Sequence, residues 1–265
     1  EAGLRTATLW SPFPEEGNRR LLTRISSLHL APTPTSKQNL LAEGVDPATI
    51  AVTGNTVIDA LIETVSAPGS YENPELAALD LTGRKLVLVT SHRRESWGEP
   101  MKRTASAIRE IATREPDVQV VLPLHANPTV QDIFRPQLSD LDNVLLTESL
   151  PYTDFARLTG AATVVVTDSG GVQEEAPSLG KPVLVLRENT ERPEAVAAGT
   201  VKLIGTDPGT IVSEVTRLLH DDEYYNSMAM AVNPYGDGQA AARTVAAIEE
   251  FFGLGNRLPD FGGVA

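Results

Sequence analysis

The feature that most limits what this chain can fold into is a series of short apolar, β-branched runs with helix-length spacers between them. Leu86-Val87-Leu88-Val89 is the first, the continuous kind of run that a strand buried on both faces requires. Val118-Gln119-Val120-Val121-Leu122, Val144-Leu145-Leu146, Thr163-Val164-Val165-Val166 and Val183-Leu184-Val185 follow, and Val201 to Ile204 adds a sixth. A helical stretch from Met101 to Thr113 separates the first two, and each later gap can hold a crossover helix. Repeated βα units of this kind predict an α/β fold with a parallel, doubly wound sheet. Right-handed crossovers gather the strand C-termini on one edge, where ligands bind.

The chain before Lys85 is less regular. Ser27 to Ala31 reads as a strand end stopped by Pro32 and Pro34, Ser36 to Glu43 as a short helix closed by Gly44, and Ile50 to Thr53 as a strand. Val57 to Val65 is helical, and Ser66-Ala67-Pro68-Gly69-Ser70 is a turn-rich linker that we take as a domain boundary. Thr210 to Leu219 and Glu223 to Met230 read as helices, Asn233 to Gly238 as a break, and Gln239 to Phe251 as a last helix. The Gly- and Pro-rich tail from Gly253 is expected to fray.

Composition excludes several classes. The chain has 265 residues, enough for one large or two modest domains, and no run of 18 apolar residues. No signal peptide is visible, and with no cysteine there are no disulfides, thiolate nucleophiles or cysteine zinc sites. These features are compatible with a cytoplasmic protein. A net charge of −13 repels nucleic acid and anionic lipid, so we expect neither as a partner. The four histidines show no metal-binding spacing, and no metal or cofactor is expected.

Thr167-Asp168-Ser169-Gly170-Gly171-Val172-Gln173-Glu174-Glu175 is the strongest local site, because it follows a strand and opens a helix. Gly170 and Gly171 let backbone approach a ligand, Ser169 can cap the helix or donate to a phosphate, and free N–H groups there favour a pyrophosphate. Glu175, one turn on, is placed to accept from ribose hydroxyls. The plainer alternative is an ordinary capped helix. Thr90-Ser91-His92-Arg93-Arg94-Glu95 also follows a strand and offers a histidine and two phosphate-recognising arginines, or simply a solvated basic loop. In Glu191-Arg192-Pro193-Glu194, Arg192 either reaches a phosphate or sugar or pairs with Glu191 or Glu194. His125 sits in a turn, where a lone histidine is usually structural. Near the start, Pro12 and Pro14 stiffen the approach to Glu15; Glu15 and Glu16 suit a helix N-terminal turn, and Asn18, Arg19 and Arg20 continue that helix.

Eight strings in order resemble the UDP-N-acetylglucosamine 2-epimerase family, over nearly the whole chain. They are Glu1 to Thr6, Pro14 to Glu16, Val52 to Asp59, His92 to Glu95, Thr167 to Gly180, Thr190 to Ala195, Gly199 to Leu203 and Asn233 to Gly238. One alone would be weak; together they are specific. The resemblance implies two Rossmann-like domains of the glycosyltransferase-B architecture. Residues 1–65 correspond to the second half of an N-terminal domain that is incomplete in this chain, and residues 66–235 to a C-terminal UDP-binding domain. Residues 236–265 correspond to a helix crossing back to the first domain, plus the tail. The implied reaction interconverts UDP-GlcNAc and UDP-ManNAc by elimination of UDP to 2-acetamidoglucal and re-addition.

By match of motif, Glu1 and Glu15 correspond to the catalytic carboxylates and His92 to the residue near the leaving pyrophosphate. Ser169, Gly170, Gly171 and Glu175 correspond to the UDP site with Arg192 beside it, and Phe155 to the residue flanking the uracil. Arg93 and His125 match positions linked with a second, activating UDP-GlcNAc. A homodimer is also implied. The family's N-terminal basic cluster and a further aspartate are not found in this sequence, so little turnover is expected of these 265 residues alone. A hydrolysing epimerase, a glycosyltransferase of the same fold, and a non-catalytic UDP-sugar sensor remain the competing readings.

Overall fold

The computed structural model describes residues 1–6, 8–10 and 13–262, so Pro12 and the last three residues of the tail lie outside the described residues. The chain forms two compact units, residues 1–63 with 232–265, and residues 64–231.

The first unit opens with helix α1 (Glu15–Ile25), whose first turn carries Glu15 and Glu16 and whose last carries Arg24, the charge order that a helix dipole favours. Strand β1 (His29–Ala31), helix α2 (Pro34–Ala42) and strand β2 (Ile50–Val52) follow. β1 and β2 are parallel, with His29 beside Ile50 and Ala31 beside Val52. α2 begins two residues before the expected Ser36. Pro34 does stop the strand, but it also suits the first helical turn, where its missing N–H costs nothing, and the Thr33 side chain caps the helix by accepting from Ser36 N. The division between units falls along helix α3 (Thr56–Ser66).

The second unit starts with the short helix α4 (Pro74–Ala77) and then alternates strand and helix. In order come β3 (Lys85–Thr90), α5 (Glu99–Arg114), β4 (Val118–Pro123), α6 (Pro128–Leu138), β5 (Val144–Thr147) and α7 (Tyr152–Ala161). They continue with β6 (Val164–Thr167), α8 (Gly170–Ser178), β7 (Val183–Val185), α9 (Pro193–Ala197), β8 (Val201–Leu203), α10 (Pro208–His220) and α11 (Asp222–Ala229). All six strands pair parallel in the order β5-β4-β3-β6-β7-β8. The apolar runs are buried on both faces, as their lack of alternation requires: Val87, Val89, Val120, Leu122, Val164 and Val166 pack with Met101, Ile108 and Phe134 in one core. From β3 the chain winds outward through β4 and β5, then returns to lay β6 on the other side of β3. That reversal makes β3 and β6 the topological switch point, and a crevice opens outside their C-terminal ends.

The chain returns to the first unit with α12 (Ala240–Phe251), whose opening N–H groups are taken by the Asp59 carboxylate: Ala240 N and Ala241 N donate to it at 3.1 and 2.9 Å. Tyr235 is fully buried and its carbonyl accepts from Asn55 N at 2.7 Å. Among the described residues, the tail is held at Arg257, Asp260 and Phe261, where fraying was expected. Phe261 N donates to Val52 O at 2.7 Å, Val52 N to the Asp260 carboxylate at 3.0 Å, Arg257 to Ile50 O, and Lys37 pairs with Asp260. A Gly- and Pro-rich segment holds here because the edge of β2 offers backbone groups that need partners. Among the described residues no helix is long and apolar enough to cross a membrane.

Candidate functional site

The site grows from the ends of β3 and β6. Thr90 and Thr167 close the two strands in register, with their hydroxyls 2.6 Å apart. The chain leaves β3 as Ser91-His92-Arg93 and leaves β6 as Asp168-Ser169-Gly170. Asp168 is completely buried and joins the two loops. Its Oδ2 accepts from His92 N at 2.9 Å, Arg93 N at 3.0 Å and the Ser91 hydroxyl at 3.3 Å. Its Oδ1 stands 3.3 Å from His92 Nδ1. Sequence reading passed over Asp168, although it lies inside the strongest motif. Its partners are some 76 residues away in sequence, and only the β3–β6 adjacency reveals them.

A cavity of about 400 Å³ opens beside these loops. It brings together His92, His125, Phe155, Ser169, Gly171 and Glu175, six of the residues expected in the site. The rings of His92 and His125 stack with centroids 6.2 Å apart. His125 Nδ1 accepts from Asn127 N at 3.1 Å, so His125 is more than a lone turn histidine: it lines the cavity with its proton on Nε2. Tyr152 and Phe155, one turn apart at the start of α7, supply aromatic wall. Tyr152 went unnoticed in the sequence; an aromatic three residues before Phe155, just past a strand, was the available signal.

Ser169 is the N-cap of α8 by backbone position, yet its side chain makes no capping hydrogen bond. Of its two expected uses the hydroxyl is not spent on the cap, and it faces the cavity. The two glycines divide their work. A Cβ at Gly170 would meet the Arg192 guanidinium, whereas one at Gly171 would meet nothing within 4 Å. Gly170 therefore makes room for an arginine rather than for a ligand, and Gly171 is the one that leaves the cavity floor open.

Arg192 pairs with Glu191, one of the partners its second reading allowed. The residue is 7% exposed, and its side chain forms 2.5 Å ion pairs with Glu174 and Glu191. Glu191 also pairs with Arg187 and approaches Arg93 at 3.8 Å. Burial pushes the Glu191 carboxyl up, but Arg192, with Arg187 and Arg93 behind it, more than reverses this and holds it at about 2. Arg93 and Arg192 thus stand behind the cavity wall in an ionic network and do not line it. Glu175 differs: burial first, and the charge of Glu174 second, push its carboxyl up to about 7.

Glu1 and Glu15 belong to the first unit. Glu15 is exposed at the first residue of α1. Glu1 is half-exposed and receives Arg19 Nη1 at 3.0 Å. Glu16, by contrast, is fully buried, accepting from Arg19, Arg20 and Thr6 N, so it is the carboxylate that holds α1 to the preceding loop.

The UDP-N-acetylglucosamine 2-epimerase family model matches residues 1–249. The chain is 50% identical over 260 residues to the UDP-N-acetylglucosamine 2-epimerase of Salmonella typhimurium, covering 95% of this chain and 68% of that protein. The chain belongs to the UDP-N-acetylglucosamine 2-epimerase family. Members with solved structures share its fold. One is the Neisseria meningitidis UDP-GlcNAc 2-epimerase bound to UDP-GlcNAc, with a TM-score of 0.85 at 45% identity, covering 94% of this chain and 68% of that one. Another is S. aureus MnaA in a co-structure with UDP, with a TM-score of 0.92 at 41% identity, covering 99% of this chain and 71% of that one. The family's members are epimerases, isomerases of sugar nucleotides, built on paired Rossmann-like units of the glycosyltransferase-B class.

Within the family's motifs, two of the eight strings prove architectural. Val52 to Asp59 and Asn233 to Gly238 meet each other inside the first unit, through Asn55 N on Tyr235 O and Gly54 packed against Gly236.

Proposed function

We propose that this protein interconverts UDP-GlcNAc and UDP-ManNAc, and that the cavity at the β3–β6 switch point holds the UDP portion. The observation that carries the reading is the convergence there of His92, Ser169, Gly171, Phe155 and Glu175 on one cavity. An aromatic wall suits a uracil, an open glycine and a serine at a helix N-terminus suit a pyrophosphate, and a carboxylate one turn on suits a ribose.

The chemistry follows from the substrate. The C2 proton has no adjacent carbonyl to acidify it, so C1–O cleavage comes first. As UDP departs, C1 gains positive character and the C2 proton becomes removable. A carboxylate takes it, giving 2-acetamidoglucal and UDP. Return of a proton to the opposite face of C2, with UDP re-adding at C1, gives the epimer. Glu1 and Glu15 take the carboxylate roles, and His92 meets the leaving diphosphate. Arg93 and His125 contribute to a regulatory second UDP-GlcNAc site, and the protein works as a homodimer in the cytoplasm. The absence of a membrane-crossing helix among the described residues is compatible with that location.

Product analysis tests the reading. Full-length protein incubated with UDP-GlcNAc should yield UDP-ManNAc with the nucleotide intact. Free ManNAc with UDP would mean a hydrolysing reaction, and unchanged substrate despite UDP binding would mean a sensor.

A further inference from the structure

The two stacked histidines of the cavity are both held through Nδ1, but in opposite roles. His125 offers Nδ1 as an acceptor to Asn127 N–H, which leaves the proton on Nε2. His92 instead points Nδ1 at Asp168 Oδ1, 3.3 Å away. Asp168 has no exposure to solvent, and its Oδ2 is saturated by three donors from the β3 loop. Oδ1 is a buried carboxylate oxygen to which no hydrogen bond is formed. A buried acceptor left unpaired is destabilising, and the nearby imidazole N–H can remove that cost by a small ring rotation. Long, poorly aligned contacts of this sort commonly tighten when ligand binds.

We propose that Asp168 is a positioning residue for His92: its Oδ1 accepts a hydrogen bond from Nδ1–H, fixes the ring, and makes Nε2 the nitrogen presented to the ligand. The same carboxylate, through Oδ2, ties down the backbone of His92 and Arg93. One buried group thereby sets where the imidazole stands and which of its nitrogens faces the diphosphate; Nε2 meets an anionic oxygen favourably only with a proton between them, and the buried carboxylate stabilises the imidazolium that shares it. The positioning role rests on the reading of His92 as a group that meets UDP, whereas the proton's place on the ring is measured independently of that reading. The Asp168 carboxylate is the group that prefers the proton on Nδ1 over Nε2 in His92.

The four histidines allow a direct test with protein carrying 15N-histidine, assigned by single substitutions and observed above the ordinary histidine range, where neutral rings dominate. The expected spectrum has a protonated Nδ1 in His92 and a protonated Nε2 in His125. In Asp168→Asn the amide oxygen can keep the three loop donors while its NH2 faces His92 Nδ1. The His92 proton should then move to Nε2 while His125 stays unchanged and UDP affinity stays within about threefold. In the full-length enzyme kcat should fall about 10- to 100-fold with KM little changed, and adding Asp168→Asn to His92→Asn should cost nothing more. If Asp168→Asn fails to fold, the unsubstituted protein still decides: a proton on Nε2 of its His92 contradicts the proposal. So does an unchanged His92 tautomer in a folded Asp168→Asn variant, or an additive loss in the double variant. Absence of turnover in the unsubstituted enzyme would count against the epimerase reading and leave the tautomer result standing.

Discussion

The Arg192 guanidinium lies directly against Gly170: a Cβ on that glycine would stand 2.5 Å from Arg192 Nη1 and 2.8 Å from Cζ. The first residue of α8 and the loop after β7 are thus locked together behind the cavity.

Gly170→Ala should cost about 1–3 kcal/mol, because the methyl must displace a buried, paired arginine. Gly171→Ala meets open space and should shift stability by less than about 1 kcal/mol, in the favourable direction expected of alanine in a helix. It should instead weaken UDP binding, since Gly171 lines the cavity. Thermal or denaturant unfolding with UDP titration separates the two substitutions.

Arg192→Ala removes one partner from a buried ionic network and should destabilise by about 3–5 kcal/mol. Glu174 and Glu191 would lose the 2.5 Å ion pairs that now compensate their burial. The sign of the pH dependence follows from Glu191, held at about 2 against an ordinary 4.5. Its contribution is complete above the ordinary value and is lost as pH falls through that window toward about 2. The gap between Arg192→Ala and the unsubstituted protein should therefore narrow in acid, which unfolding across pH will read.

Glu175 behaves in the opposite way. Its carboxyl is raised to about 7, so the unfolded chain ionises first as pH rises from 4.5. Stability falls between those values and levels off above about 7. Glu175→Gln removes that penalty: its melting temperature should match the unsubstituted protein in acid and exceed it in mild alkali. UDP affinity should show the converse. It should strengthen with pH through about 7 in the unsubstituted protein as the ribose acceptor ionises, and stay weak and flat in Glu175→Gln. Calorimetric UDP titrations across pH check this.

Much of the second unit was legible in the sequence because its strands are buried on both faces, so their apolar runs do not alternate. The end of α2 nearest Pro34 and the tail near Phe261 were harder to read. Proline both ends a strand and begins a helix, and the tail is held by backbone partners that its own composition does not announce. In the site, residues sharing one motif were found together, as with Ser169, Gly171 and Glu175. Asp168 was passed over because its partners lie on the loop of a neighbouring strand, set by sheet order and not by spacing along the chain. For Arg192 the pairing with Glu191 was among the readings its own segment offered, while Glu174, on the helix after β6, was not.

In the first unit, Arg19 is buried between Glu1 and Glu16, which the sequence showed only as charges near one another. Arg19→Met should cost about 1–3 kcal/mol through Glu16, which keeps Arg20, and should release the Glu1 carboxylate. If Glu1 acts at C2, kcat should fall while UDP affinity, which belongs to the second unit's cavity, is unchanged. Steady-state kinetics beside UDP titration tests it.

Epimerisation by this route reverses the configuration at C2 through loss and return of its proton. Proton NMR of UDP-GlcNAc in D2O with the full-length protein tests it most directly. UDP-ManNAc carrying deuterium at C2 is expected, with deuterium also entering the UDP-GlcNAc pool as the reaction runs back. UDP-ManNAc that retains its original C2 proton, or no exchange while UDP binds normally, would contradict it.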